Sequence, residues 1–393
     1  MPRFQANGAQ ELRTLWCLDP QVAYLNHGSY GACPAAVLTL QSQLRRQMEL
    51  EPVDFLSGSL AARLTEARVA LADFLGAESS DLAFVPNATA GVNAVLRSRD
   101  FHSGDELLVT NHTYAACRKT ADYVAARSGA RVIVAELPFP IHDEQQIIET
   151  VLGAVSPRTR IALIDHVTSP TALVLPVARL VRELQARGVD ALVDGAHALG
   201  MVPLGLSALG AAYYTGNAHK WLCAPKGAAF LHVRRDLQAG LHPAIISSGY
   251  GAGFHAEFDW TGTSDPTPWL CIPECIRFMG GLLPGGWPEL MRSNRALVLQ
   301  ARALLLEACA IAAPCPESMI GSMAAVPLPT TAAGSLAARL DSAGLHDWFR
   351  QRNVEAYLHH QPLPLLRVSA QLYNSLHEYQ RLAELLAEAL RDP

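Results

Sequence analysis

Between Leu82 and Val233 the chain repeats one unit: a short apolar run, then a stretch whose apolar residues recur at helical spacing. The strand candidates are Leu82–Pro86, Glu106–Thr110, Val132–Leu137, Arg160–Asp165, Ala191–Asp194, Ala212–Thr215 and Ala228–Val233. Between two of them, Ala178–Arg187 places Leu180, Val181 and Leu184 on one helical face. Strands this apolar need cover on both sides, and a helix between successive strands is the usual parallel crossover. The pattern therefore predicts an α/β fold: a large domain with a mostly parallel seven-stranded sheet flanked by helices. After Pro284-Gly285-Gly286 the texture changes. A long helix over Pro288–Ala313, weaker signals, and an amphipathic helix from His377 to Leu390 suggest a smaller α+β domain. The expected division is 30–285 for the large domain, with 1–29 and 286–393 forming the small one. Ala312–Gly334, rich in Pro, Gly and Ala, gives no firm signal.

Composition narrows the function classes. Half of the 393 residues are hydrophobic and 17% are charged, which argues for a large cored protein and against disorder. The net charge of −5 comes with no basic block, which argues against a nucleic-acid partner. No apolar run reaches the length of a membrane span, and Met1-Pro2-Arg3-Phe4 lacks the apolar core of a signal peptide, so a cytoplasmic protein is expected. Of the 8 cysteines only Cys271 and Cys275 are close in ligand-like spacing. No second pair or nearby histidine completes a metal site, so reduced packed thiols and no metal are expected.

In parallel sheets, ligands bind where strands end and helices begin. Val193-Asp194-Gly195-Ala196-His197 ends one strand, and Thr215-Gly216-Asn217-Ala218-His219-Lys220-Trp221-Leu222 puts a lysine in a polar turn after another. A carboxylate ending an apolar strand needs a cationic or hydrogen-bonding partner. A pyridinium nitrogen is one such partner, and a carboxylate there preserves the ring's capacity as an electron sink. Lysine is protonated in water, with a pKa of about 10.4, and becomes a nucleophile in a desolvated site. Asp194 and Lys220 together point to pyridoxal phosphate held as a Schiff base, with His197 near the ring's phenolic oxygen. The phosphate needs donors at a helix start, which the strand–turn–helix pattern of Phe84-Val85-Pro86-Asn87-Ala88-Thr89-Ala90-Gly91-Val92-Asn93 offers. Taken singly, these residues have ordinary readings: a surface lysine, a capping aspartate, a packed histidine, a common α/β turn.

At these residues the chain resembles the class V aminotransferase family of pyridoxal phosphate enzymes, and within it the isopenicillin N epimerase-like branch. The likeness is carried by Tyr24-Leu25-Asn26-His27-Gly28-Ser29-Tyr30-Gly31, the Asn87–Asn93 turn, and His166-Val167-Thr168-Ser169-Pro170-Thr171. It continues through Asp194-Gly195-Ala196-His197, His219-Lys220-Trp221-Leu222-Cys223-Ala224-Pro225-Lys226-Gly227, Trp260-Thr261-Gly262-Thr263 and Leu366-Arg367-Val368-Ser369. It implies a fold type I homodimer with active sites at the interface. By motif position Lys220 carries the Schiff base and Asp194 meets the ring nitrogen. His219, Thr89, the Ala88 backbone and Asn217 hold the phosphate, joined by Thr261 and Thr263 from the neighbouring subunit. Arginine follows the second threonine in one common form of that motif, whereas Ser264 stands here. The resemblance places His112 stacked on the ring, Tyr114 near the substrate carbon as an acid–base group, and Ser169 near the ring oxygen. Arg367 is expected to bind the substrate carboxylate, with Asn26, His27 and Tyr30 at the substrate. Tyr357, His359 and His360 are further pocket candidates.

With this cofactor, the expected chemistry proceeds at the α-carbon of an amino acid or amino-acid conjugate, through an external aldimine and a carbanion. Reprotonation from the opposite face makes the chain an epimerase or racemase, the main expectation. Expulsion of a β-substituent makes it a C–S lyase of a cysteine conjugate or sulfoxide, and protonation at the cofactor carbon an aminotransferase. A non-catalytic cofactor-binding protein is the remote alternative. Desulfurase chemistry is disfavoured because Ser342–Leu366 contains no cysteine before Arg367.

Overall fold

A computed structural model describes residues 8–329, 342–359 and 363–391. Its strands are β1 (Ala23–Tyr24), β2 (Leu82–Val85), β3 (Glu106–Thr110), β4 (Arg131–Ala135), β5 (Thr159–Asp165) and β6 (Asp190–Asp194). They continue with β7 (Tyr213–Asn217), β8 (Ala229–Val233), β9 (Met323–Pro327), β10 (Val354–Glu355), β11 (Tyr357–His359) and β12 (Leu365–Ser369).

Seven strands form the main sheet in the order β2-β8-β7-β6-β5-β3-β4. β4, β3, β5, β6 and β7 are mutually parallel, and β8 runs antiparallel between β7 and β2. The expected α/β architecture is what forms. All seven strand candidates are strands, with ends displaced by no more than two residues. β2, β3, β7 and β8 are buried along their whole length, as sequences without polar alternation require. The helix between β5 and β6, Val177–Gln185, buries Val177, Leu180, Val181 and Leu184.

A second sheet, β11-β12-β9, is antiparallel. It packs with the helix Gly286–Cys309, which in turn packs on the helix Leu376–Leu390. Ser375 and Glu378 close a capping box at the start of that last helix, each satisfying the other's backbone N–H. β1 pairs in parallel with β10, tying the early chain to the late chain across more than 300 residues of sequence. Among the described residues no helix is long and apolar enough to cross a membrane, and no cluster of His, Cys, Asp and Glu could hold a metal ion. All 8 cysteines are free thiols, and all but Cys17 are buried.

Gly31 carries a constraint that reaches the site. It follows the short helix His27–Tyr30 with φ 71 and ψ 164, a region open essentially only to glycine. A Cβ there would lie 2.1 Å from the His219 carbonyl oxygen and 2.9 Å from the Lys220 Cα. We expect Gly31→Ala to destabilise the fold by at least about 1–3 kcal/mol and to push the Lys220 turn out of place. Thermal unfolding and cofactor titration check this together.

Candidate active site

The C-terminal ends of β5 and β6, the turn after β7 and the start of the helix Ala88–Ser98 converge on one cavity of about 370 Å³. Its floor is Asp194. The Asp194 Oδ1 accepts from the Ala196 N–H at 3.1 Å, and Oδ2 accepts from the Cys117 thiol at 3.1 Å. Burial pushes this carboxyl up, against which the thiol, the Ala196 amide and the Lys220 charge act. Between Asp190 and Asp194 β6 is apolar, so the strand that buries Leu192 and Val193 carries the carboxylate to the floor with them.

Lys220 lies in the turn between β7 and β8, with its Nζ 3.1 Å from His197 Nε2. Burial, with help from the Arg367 charge, lowers its pKa to about 7, while Asp194 pulls in the other direction. A lysine in this state is neutral often enough near neutral pH to act as a nucleophile or base. His197 is buried and held neutral by that burial and by the Lys220 charge, and its Nδ1 has no protein partner.

His27 does not serve where the sequence placed it. It is completely buried and absent from the cavity wall. Its Nε2–H donates to the Lys220 carbonyl at 3.0 Å, while Nδ1 accepts from the Tyr373 hydroxyl at 2.8 Å. Burial lowers its pKa to about 3. It therefore anchors the backbone of the lysine turn as a neutral ring. Asn26 is likewise committed within the protein, donating to Glu355 Oε1 at 3.1 Å and accepting from the Ser29 hydroxyl at 2.6 Å. Tyr30 does line the cavity, largely exposed at its mouth.

At the other end, Asn87 caps the helix Ala88–Ser98 by accepting the Ala90 N–H at 2.8 Å. The Ala88 N–H donates to Asn217 Oδ1 at 2.8 Å, so the expected Ala88 phosphate donor is already engaged. Thr89, Asn217 and His219 line the cavity beside that helix start, where the helix dipole favours an anion. The His219 Nδ1–H donates to the Ala228 carbonyl at 3.0 Å, and burial lowers its pKa to about 4.

His112 and Tyr114 separate. His112 is buried, bonds the Thr171 hydroxyl through Nδ1 at 3.0 Å, sets its edge against Phe139, and lines a different cavity of about 180 Å³. It is not among the residues that line the Lys220 cavity. Tyr114, immediately before the helix Ala115–Ser128, lines the Lys220 cavity instead. The Tyr114 N–H donates to Asp165 Oδ1 at 3.1 Å, which holds the backbone where the helix begins, while His112 is held by Thr171.

Arg367, on β12, is almost wholly buried and stands directly behind the cavity wall. It donates to the Ser169 carbonyl at 2.5 Å, to Ser169 Oγ at 3.2 Å and to Ser29 Oγ at 3.1 Å, with its guanidinium 4.2 Å from the Tyr357 ring centroid. Ser29 and Ser169 themselves line the cavity. The Arg367 Nε has no partner, and among the described residues no carboxylate pairs with this cation. Burial lowers its pKa to about 10, so it stays charged at neutral pH. His359, facing the His112 cavity, is outside this wall, and His360 lies outside the described residues.

Thr261 lines a separate cavity of about 90 Å³ with Phe84 and Trp269, and neither Thr261 nor Thr263 reaches the Lys220 cavity of the same chain. Three participants escaped the sequence reading. Asp165 ends its strand as Asp194 does, and the strand-end rule that found one could have found the other. Ser29 and Cys117 carry no such signal, since only folding brings them to Arg367 and Asp194.

The cavity fits pyridoxal phosphate. It offers a buried carboxylate for a ring nitrogen, a desolvated lysine amine, an orphaned imidazole nitrogen on His197, and a helix start for a phosphate. The family model described as aminotransferase class-V matches residues 34–268. The chain belongs to the class V aminotransferase family. It is 37% identical over 391 residues to an isopenicillin N epimerase of Amycolatopsis lactamdurans, covering 94% of this chain and 96% of that one. It is 31% identical over 402 residues to a probable chloroplastic L-cysteine desulfhydrase of Arabidopsis thaliana, covering 95% of this chain and 84% of that one. A solved cystine C–S lyase, in complex with cysteine persulfide, superposes with a TM-score of 0.81 at 18% identity over 95% of this chain and 99% of that one, a likeness of fold. The protein is a fold type I enzyme that uses pyridoxal phosphate and acts at the α-carbon of an amino-acid-like substrate.

The Lys220 environment has a consequence for stability. Its folded pKa is depressed from 10.5 to about 7, so between those values the unfolded chain binds more protons. Stability of the cofactor-free protein from this group therefore rises with pH across that window. We expect chemical denaturation of Lys220→Met to lack that rise relative to wild type. An equal rise in both proteins would contradict the burial of the charge.

Proposed function

We propose that the protein is an amino-acid epimerase or racemase, in which Lys220 and Tyr114 exchange the α-proton of a substrate held by Arg367. The observation that supports this reading is that a desolvated lysine and a tyrosine both line one cavity. Pyridoxal phosphate, when bound, supplies an electron sink for charge developing at the α-carbon. Asp194 would hold the ring nitrogen in its protonated form, His197 would meet the ring's polar edge, and Thr89, Asn217 and His219 would hold the phosphate. Lys220, half-neutral near pH 7, takes a proton, and the Tyr114 hydroxyl serves as the second acid. With Nδ1 committed to the Ala228 carbonyl, His219 would offer Nε2 to the phosphate. Arg367 is a buried cation with an unpaired Nε, suited to a carboxylate.

Two isopenicillin N epimerases, at 37% and 36% identity over nearly the whole chain, support this reading over elimination. The C–S lyase reading rests on desulfhydrases at 31% identity and shares the same residues. Sulfur capture by an enzyme thiol is disfavoured, because no cysteine lines the cavity among the described residues. Cys117 sits under Asp194, and Cys315 lies beside Arg302 in the core. We further propose a cytoplasmic homodimer in which Thr261 and Thr263 complete the partner's phosphate site. The large exposed apolar side chains Ile245, Ile246 and Tyr250 support such a contact.

Proton NMR of the loaded protein in deuterated water, with a panel of amino acids and cysteine conjugates, tests the reaction. Loss of the α-proton signal with an intact skeleton and mixed chirality is expected, whereas release of an α-keto acid would establish elimination instead. Arg367→Ala should weaken amino-acid binding by about 2–5 kcal/mol while leaving cofactor affinity unchanged. Lys220→Ala should abolish exchange and the borohydride-reducible cofactor linkage.

A further inference from the structure

A second buried carboxylate shares the cavity with Asp194. β5 and β6 are parallel, and Asp165 and Asp194 are register partners at their C-terminal ends. In-register residues of adjacent parallel strands point to the same face, and both side chains line the Lys220 cavity. Their surroundings differ. Asp194 has a donor on each oxygen, Ala196 N–H and the Cys117 thiol, and lies near the Lys220 charge. Asp165 has the Tyr114 N–H on Oδ1, with the Thr113 hydroxyl also bonded to the carboxyl, while its Oδ2 is buried with no partner at all. No cation pairs with Asp165 among the described residues.

Two carboxylates side by side away from water do not both ionise, and the one with an oxygen left without a donor keeps the proton. A buried anionic oxygen without a donor would also carry its full desolvation cost, which protonation removes. The direction of the Asp165 pKa agrees: burial and the neighbouring Asp194 charge hold it well above the usual carboxylate range.

We propose that Asp165 is a neutral carboxylic acid that acts as a positioning residue for Tyr114, holding the Thr113–Tyr114 turn through Oδ1 while its retained proton leaves Asp194 the single anion beneath the cavity. This rests on the assignment of Asp194 to the cofactor nitrogen and of Tyr114 to proton exchange. Two strand-ending aspartates thus divide the work: one supplies charge, the other supplies shape.

Three measurements test this, two of them independent of turnover. Infrared spectroscopy of the cofactor-free protein at neutral pH should show a protonated-carboxyl C=O band that persists in Asp194→Asn and is lost in Asp165→Asn. A band that survives Asp165→Asn, or disappears in Asp194→Asn, overturns the assignment of the proton. Hydrogen exchange of the peptide spanning Thr113–Tyr114 should be unchanged in Asp165→Asn, whose amide oxygen still accepts, and faster in Asp165→Ala. Equal exchange in all three proteins overturns the positioning role. In the loaded enzyme, Asp165→Asn should keep a near wild-type kcat, whereas Asp165→Ala should lower kcat at least about tenfold with KM little changed. Adding Asp165→Ala to Tyr114→Phe should cost nothing further, because residues acting through one group are not additive. An additive loss overturns action through Tyr114. Should wild type exchange no α-proton, the epimerase reading fails while the infrared and hydrogen-exchange results still decide the role of Asp165.

Discussion

The site depends on keeping Asp194 charged although it is almost wholly buried beneath the cavity. A carboxylate there is costly unless donors and a cation surround it. The fold supplies the Cys117 thiol from one helix, the Ala196 amide from the turn after β6, and the Lys220 amine from the turn after β7. The same burial that raises Asp194 lowers Lys220, so each group makes the other's environment. A cofactor with a basic ring nitrogen and a reactive aldehyde answers both needs.

Around this pair the protein separates groups that touch chemistry from groups that hold them. His27 and Tyr373 fix the backbone of the lysine turn, and Gly31 leaves that turn the space it occupies. Asn217 and Asn87 fix the start of the helix Ala88–Ser98. Ser29 and Ser169 line the cavity and both bond to the guanidinium of Arg367. Several of these holders come from the first 31 residues or from β12, so the small sheet and the main sheet build one site. Membership of the class V family and the shared fold of the C–S lyase place this arrangement among enzymes that begin alike and diverge in the fate of the α-carbon.

Much of this was legible in the chain. The alternation from Leu82 to Val233 gave the main sheet because apolar continuity and helix spacing are local properties. Asp194 stood out because it ends an apolar strand, and Lys220 because it lies in a short polar turn between apolar runs. The assignments that changed were those in which sequence neighbours could face either way. His112 and Tyr114 are two residues apart, and only the folded chain shows that they line different cavities. His27 carries an ordinary ligand-type side chain, and its partners at residues 220 and 373 are invisible until the chain folds.

Sequence by itself determined the sheet, the positions of its strand ends, and the two charged residues that a pyridoxal phosphate enzyme needs. Those features follow from periodicity and from the cost of burying a charge, both of which a local stretch of residues expresses. Tertiary structure alone decided which donors each carboxylate receives, that Arg367 stands behind a serine wall without an anion, and that Ala88 is engaged by Asn217. Such facts depend on groups separated by dozens to hundreds of residues, and only the packed chain fixes their distances.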